Sequence, residues 1–293
     1  MSAGPHACPP RQTLRVGCKI NLFLRITGVR EDGYHLLDSL FWPLDAPYDT
    51  LHCEAVAGHG IEARCSAVGI DPANNTLTRA HAAYAAHTGF APGLRVRLEK
   101  GVPHGAGLGG GSADAAAVLR WCNARAPQPL DRDALAAVAA RVGADVPFFL
   151  HEGPCRVQGI GEAIRPYAPE ALRGLHLVLL CPDIHISTPW AYGAWDSWHK
   201  KNFSREDLTS KALKAKEIDS CPVRLCNDLE GPVFAAYPAL RAFKEALLQH
   251  GATLAVMSGS GASLVGLYRT ASCAHRAADA LRQQGVRVHE SVL

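Results

Sequence analysis

The chain is 293 residues long, 48% hydrophobic and 19% charged, which supplies a real core and excludes a disordered polyelectrolyte. Its formal net charge is +3 with the basic residues scattered, so no nucleic-acid partner is expected. The longest aliphatic stretch, near 177–181, is far short of the ~20 residues that span a bilayer, and no membrane partner is expected. Ten cysteines without a C-x-x-C pair or a preceding signal peptide are expected to be thiols of a soluble cytoplasmic protein.

Residues 1–13 hold three prolines and no apolar periodicity, the pattern of a loose terminus. From Leu14 the run LRVGCKINLFLRITG alternates as a strand, Asp32-Gly33 marks a turn, and LLDSLFWPL and DTLHCEAV read as second and third strands. A helix is predicted from Asn75, whose amide suits an N-cap ahead of alanine-rich sequence. GLRVRLEK (93–100) reads as a strand leading into glycine-rich 103–111, and SADAAAVLRWCNA (112–124) follows as a helix with a Ser cap. Another helix fits 131–142, with an Asp near its start and Gly143 just past its end. The Pro/Gly-containing stretch 153–174 is a candidate hinge, and HLVLLCP (176–182) is a buried strand. Helices at about 189–199, 205–216, 227–236, 238–250 and 271–284 then alternate with strands TLAVM, SLVGLYR and VRVHESV. The length suits one large domain or two ordinary ones; the two-domain division falls at 14–165 and 166–293.

The strongest chemical signal is PHGAGLGGGSADAAAVLR, which begins Pro103, His104, Gly105, Ala106, Gly107, Leu108, Gly109, Gly110, Gly111, Ser112, Ala113. Five glycines in seven positions let successive N–H groups approach an anion, and the following helix adds its positive N-terminus. Triphosphate is the natural guest, although no Gly-Lys-Ser/Thr closes the loop as in a Walker motif. The bland alternative is a flexible glycine linker or tight helix–strand packing; a linker would not run straight into a capped, alanine-rich helix. A second cluster, MSGSGASLVGLY (257–268), reads locally as a hairpin.

In GADVPFFL (143–150), Asp145 is either a helix-terminating carboxylate or the group that aligns a substrate hydroxyl beside a phosphate donor. Lys19, inside the apolar strand VGCKINLFL, must snorkel out or meet a carboxylate or phosphate, and Asp145 is the expected partner. Asn21, two residues on, projects from the same strand face.

Together, CKINLFL, P-x-x-x-G-L-G-G-G-S-A and S-G-S-G-A resemble the GHMP small-molecule kinases. The block K-I-N-L-x-L…R-x-D-G-Y-H-x-L at 19–36, the G-A-D-V-P-F-F segment and Asn227-Asp228-Leu229-Glu230 resemble the branch of that family whose substrate carries cytidine diphosphate. The resemblance runs over roughly 14–293. It implies an α+β, two-domain GHMP fold: an N-terminal ATP-binding domain with a mixed sheet, a C-terminal ferredoxin-like α/β sandwich, and the active site in a cleft between them. It further implies transfer of the γ-phosphoryl of ATP, with Mg²⁺, to the 2-hydroxyl of a methylerythritol moiety in isoprenoid precursor synthesis. Residues Pro103 to Ala113 would hold the ATP phosphates, Asp145 would be the base and Lys19 the cation beside it. Tyr34 and Tyr192 would sandwich the cytosine, His35 would bond its edge, and Asn21 and Thr188 would lie on the substrate side. Lys100 matches a basic position ahead of the loop. Many family members have paired serines where this chain has Gly110 and Gly111, so Mg²⁺ ligands stay unassigned and Ser112 is the nearest hydroxyl. Alternatives are another GHMP kinase, of homoserine or mevalonate type, or a non-catalytic nucleotide-binding regulator. Oligomeric state is open between monomer and homodimer.

Overall fold

The computed structural model describes residues 9–66, 71, 75–202 and 225–293; the helix predicted over 205–216 lies outside them. The chain forms two compact units that interleave along the sequence. The first contains residues up to Cys18, Pro47–Val102 and Gly110–His151; the second contains Lys19–Ala46, Pro103–Gly109 and Glu152–Leu293. A linear division at 165 does not register this interleaving, because two long strands, β1 (Arg11–Val29) and β2 (His35–His59), each contribute residues to both units.

In the first unit the C-terminal part of β2 pairs antiparallel with β4 (Pro92–Glu99), in register Thr50↔Glu99 to Ala55↔Leu94. The short β3 (Ile61–Cys65) runs parallel to β4, so the sheet is mixed. Helices α1 (Thr76–Thr88), α2 (Gly110–Asn123) and α3 (Arg132–Val142) supply apolar side chains to one core with the strands, including Leu51, Leu94, Val96, Tyr84, Leu119 and Val138. The predicted caps form where the chemistry asks for them. Asn75 Oδ1 accepts the N–H of Leu77 and Thr78 at 2.9 and 3.1 Å in a capping box, and Asp131 Oδ1 accepts that of Ala134 at 2.8 Å.

In the second unit β7 (His176–Cys181), β8 (Leu254–Met257), β9 (Leu264–Tyr268) and β10 (Arg287–Val292) form an antiparallel sheet ordered β10-β7-β9-β8. Its helices are α4 (Thr188–Asn202), α5 (Glu230–Ala236), α6 (Pro238–Gln249) and α7 (Ala271–Arg282). The strand order is that of a ferredoxin-like sandwich, with α4, α5 and α6 between β7 and β8 and α7 between β9 and β10. Buried Val178, Leu180, Leu247, Leu264, Ala277 and Leu281 belong to its core. The N-terminal part of β2 pairs in this unit with β5 (Cys155–Gly159), and β5 with β6 (Ala163–Pro166).

Two expectations change. DTLHCEAV is not a separate third strand but the end of β2, since the φ of Pro43 and Pro47 is compatible with extended backbone and a proline only removes a donor. The candidate hinge at 153–174 holds the β5–β6 hairpin and a 3₁₀ turn (Glu170–Leu172), and the chain passes from the first unit to the second just ahead of it, between His151 and Glu152. Ser112 is inside α2 rather than its cap: the helix starts two residues earlier, at Gly110.

Candidate active site

The glycine loop is held by its carbonyls. Within the second unit, Gly105 O accepts the N–H of Ile186 at 3.3 Å, Ala106 O that of Ser263 at 3.1 Å, and Leu108 O that of Lys19 at 2.9 Å. Gly107 O accepts the Ser258 hydroxyl at 3.0 Å and the Lys19 ammonium at 3.3 Å. In a planar trans peptide the N–H of the next residue points opposite to the carbonyl. Each of the four bound carbonyls therefore leaves the N–H of the next residue, Ala106, Gly107, Leu108 or Gly109, pointing away from that carbonyl's own partner. From Gly109 the chain enters α2, whose first-turn N–H groups have no intrahelical acceptor and carry the positive end of the helix dipole. Glycine is required at 107 on two counts: φ is +74°, and a Cβ would lie 2.1 Å from Ser258 O. A Cβ on Gly105 would likewise run into the His185 ring, which stacks on His104 at 5.3 Å.

Lys19 is buried among polar and aromatic contacts. Its ammonium donates to Asn21 Oδ1 at 2.6 Å and to Gly107 O, and lies 4.6 Å from the Phe41 ring centre. Asn21, also buried, is bonded at both ends of its amide: Oδ1 accepts from Lys19, Nδ2 donates to Ser39 Oγ at 2.9 Å, and its backbone N–H donates to Ser258 Oγ at 3.0 Å. Strand β1 thus presents a fixed cation to the loop from inside an apolar run.

The second glycine cluster is both a hairpin and a neighbour of the first. Residues 258–263 connect β8 to β9, and Ser258 and Ser263 supply two of the loop contacts above. Asn227 braces this turn, donating from Nδ2 to Met257 O at 2.8 Å and to Gly259 O at 2.7 Å. Asp228 accepts the N–H of Ile26 and Glu230 that of Met257. Sequence reasoning noticed the Asn227–Glu230 stretch only through resemblance and missed Ser258 and Ser39, because small polar residues carry no periodicity signal. Thr188 meets Ser260 through a hydroxyl pair at 3.1 Å.

His35 and Tyr192 come together, with ring centres 4.9 Å apart, and Asp196 Oδ1 bonds His35 Nε2 at 2.8 Å. Tyr34 starts from the same turn with 61% of its surface exposed. Asp145 belongs to the first unit, half-buried in the turn between α3 and a 3₁₀ turn at Pro147–Leu150. Ahead of the loop, Lys100 forms a buried cluster with Asp49 and Asp114. Burial works against the Lys100 charge, but the two carboxylates outweigh it and hold its ammonium above the usual lysine range. Among the described residues no three His, Cys, Asp or Glu side chains are grouped to hold a metal ion.

A ferredoxin-like unit, a mixed-sheet unit and a glycine loop running into a helix are the architecture of the α/β small-molecule kinases. The family of GHMP kinase N-terminal domains matches residues 75–153 and that of GHMP kinase C-terminal domains residues 211–287; the chain belongs to the GHMP kinases. It is 51% identical over 282 residues to the 4-diphosphocytidyl-2-C-methyl-D-erythritol kinase of Nitratidesulfovibrio vulgaris, covering 96% of this chain and 98% of that one. With the kinase of the same name from Lawsonia intracellularis it shares 42% identity, with 90% of each chain covered. A crystal structure of 4-(cytidine 5'-diphospho)-2C-methyl-D-erythritol kinase superposes with a TM-score of 0.75 at 34% identity, covering 95% of this chain and 98% of that one. Homoserine kinase from Cytophaga hutchinsonii shares the fold at a TM-score of 0.70 and 16% identity. No helix among the described residues is long and apolar enough to cross a membrane.

Proposed function

We propose that this chain transfers the γ-phosphoryl group of ATP to the 2-hydroxyl of 4-diphosphocytidyl-2-C-methyl-D-erythritol, giving the 2-phosphate and ADP, in the cytoplasm. The observation that carries the reading is the glycine loop: its four successive carbonyls are bound by the second unit, which leaves the amides between them free of those bonds and suited to phosphate oxygens. The 51% identity over almost the whole chain to a kinase of that name supports this acceptor over homoserine or mevalonate.

In this reading Pro103 to Ala113 hold the phosphates, and the Lys19 ammonium, already at the loop through Gly107 O, offsets charge on the transferred group. Asp145 orients the acceptor hydroxyl and takes its proton; in a loose transition state the orienting share is the larger one. Tyr34 and Tyr192 offer faces to the cytosine, and His35, steadied by Asp196, offers a polar edge. Asn21 and Thr188 complete the substrate side. Mg²⁺, when bound, would be held mainly by the nucleotide phosphates and water and would offset phosphate charge, with the Ser112 hydroxyl at the start of α2 available to it. The test is ³¹P NMR of the protein with ATP, Mg²⁺ and the diphosphocytidyl substrate. A new phosphomonoester signal growing with ADP is expected, and its absence overturns the reading.

A further inference from the structure

The glycine loop is an excursion with a narrow neck. It leaves the first unit at Val102 and re-enters it at Gly110, and these two residues meet: a Cβ on Gly110 would lie 2.8 Å from Val102 Cγ1 and 3.2 Å from Asp49 Oδ2. Three charged side chains surround that neck. Asp49, fully buried, accepts through Oδ1 the backbone N–H groups of Gly101 at 2.7 Å and Val102 at 2.8 Å. Its Oδ2 accepts the Lys100 ammonium, which also donates to Asp114 Oδ2 at 3.1 Å. Asp114, one turn into α2, is 1% exposed, and its Oδ1 is buried with no hydrogen-bond partner among the described residues.

As a source of stability this cluster is a poor device. Burying three charges costs desolvation that their attraction barely repays, and three apolar residues of similar volume would pack as well. What apolar residues cannot do is fix direction. The chain Gly101/Val102 N–H to Asp49 to Lys100 to Asp114 links the backbone entering the loop to the helix leaving it through directed bonds, and Gly110 gives the room.

We propose that Asp114 is a positioning residue for the nucleotide: through Lys100 and Asp49 it clamps the neck of the glycine loop and so sets the amides of the loop and of the α2 N-terminus at the spacing the phosphates need. This rests on the reading that the loop takes the phosphates of ATP. It accounts for the glycine at 110, where a serine side chain would strike Val102.

The test uses the full chain and a non-hydrolysable ATP analogue, with binding by calorimetry and turnover measured in parallel. Asp114→Ala is expected to weaken the analogue about tenfold while the KM for the alcohol substrate stays put, since misplaced donors cost binding where they act. Asp114→Asn, which still offers Lys100 an acceptor oxygen, is expected to restore most of the affinity. Should Asp114→Ala fail to fold, Asp49→Asn breaks the same chain one link earlier: its oxygen still accepts from Gly101 and Val102, but its amide cannot accept from Lys100. The clamp is overturned by unchanged analogue affinity in a folded variant, or by equal losses for analogue and alcohol. A wild type that binds the analogue without turnover instead overturns the kinase reading and leaves the clamp standing.

Discussion

Lys19 and Asp145 illustrate how differently two charged residues meet the cost of leaving water. Lys19 is buried in an apolar strand, and the cost is offset locally by Asn21, a loop carbonyl and the Phe41 ring. Asp145 stays half-buried, in reach of solvent, as the proposed contact with an acceptor hydroxyl requires. Asp145→Asn is therefore expected to lower kcat by ~10²-fold or more with the KM for ATP little changed, as a steady-state assay varying both substrates will show. Near-normal turnover would remove Asp145 from the mechanism. Asp114 makes a different prediction. Burial, reinforced by Asp49 and opposed by Lys100, pushes its carboxyl up to about 7. A carboxyl raised in the folded state favours the protonated fold, so this contribution is complete below the ordinary aspartate value and is lost as pH rises through about 7. The uncharged Asp114→Asn variant should then gain on the wild type as pH rises. Thermal melts at pH 5 and pH 8 check this, and a Tm difference that does not grow with pH refutes it.

At the scale of elements, the glycine loop shows what a sequence reveals and what it withholds. The glycine-rich run before a helix, the capping at Asn75 and Asp131 and the apolar runs of β7 and β9 are legible in the sequence, because each is local chemistry. The loop's supports are not legible in that way. Lys100, Asn227 and the serine-glycine motif holding Ser258 stand out only by family resemblance, while Ser39, Asp49 and Asp114 carry no signal, because all of them act through partners far away in sequence that no spacing rule connects. The start of α2 was misplaced for a related reason: glycine disfavours a helix by propensity, but Gly110 is needed where the helix passes Val102. Two neighbouring positions turn this into a measurement. Gly107→Ala forces a Cβ into the left-handed region and against Ser258 O, so a loss of about 1–2 kcal/mol or more in urea unfolding is expected, with a raised KM for ATP. Gly111→Ser places its Cβ 3.5 Å from Thr76 Oγ1, an ordinary contact, and should change stability by less than ~0.5 kcal/mol. Equal effects at the two positions would mean that the loop tolerates side chains generally.

At the scale of the molecule, the two units are joined by continuous strands rather than by a linker. β1 and β2 each enter both units, so neither unit can lose its sheet without disturbing backbone that the other also uses. Such sharing predicts one cooperative unfolding transition in place of two. The cysteines report on it, since the eight described are free thiols and several lie in opposite cores. Cys53 and Cys122 are buried in the first unit, where burial pushes their thiols up to about 11 and about 12; Cys155 and Cys181 are buried in the second. All four should be inert in the native protein at pH 8, while half-exposed Cys65, Cys226 and Cys273 label first. In a urea series with pulsed alkylation and peptide mass mapping, Cys53, Cys122, Cys155 and Cys181 are expected to become reactive at one common denaturant concentration. Labelling of one pair well before the other would show that the shared strands do not couple the units, and that each folds on its own.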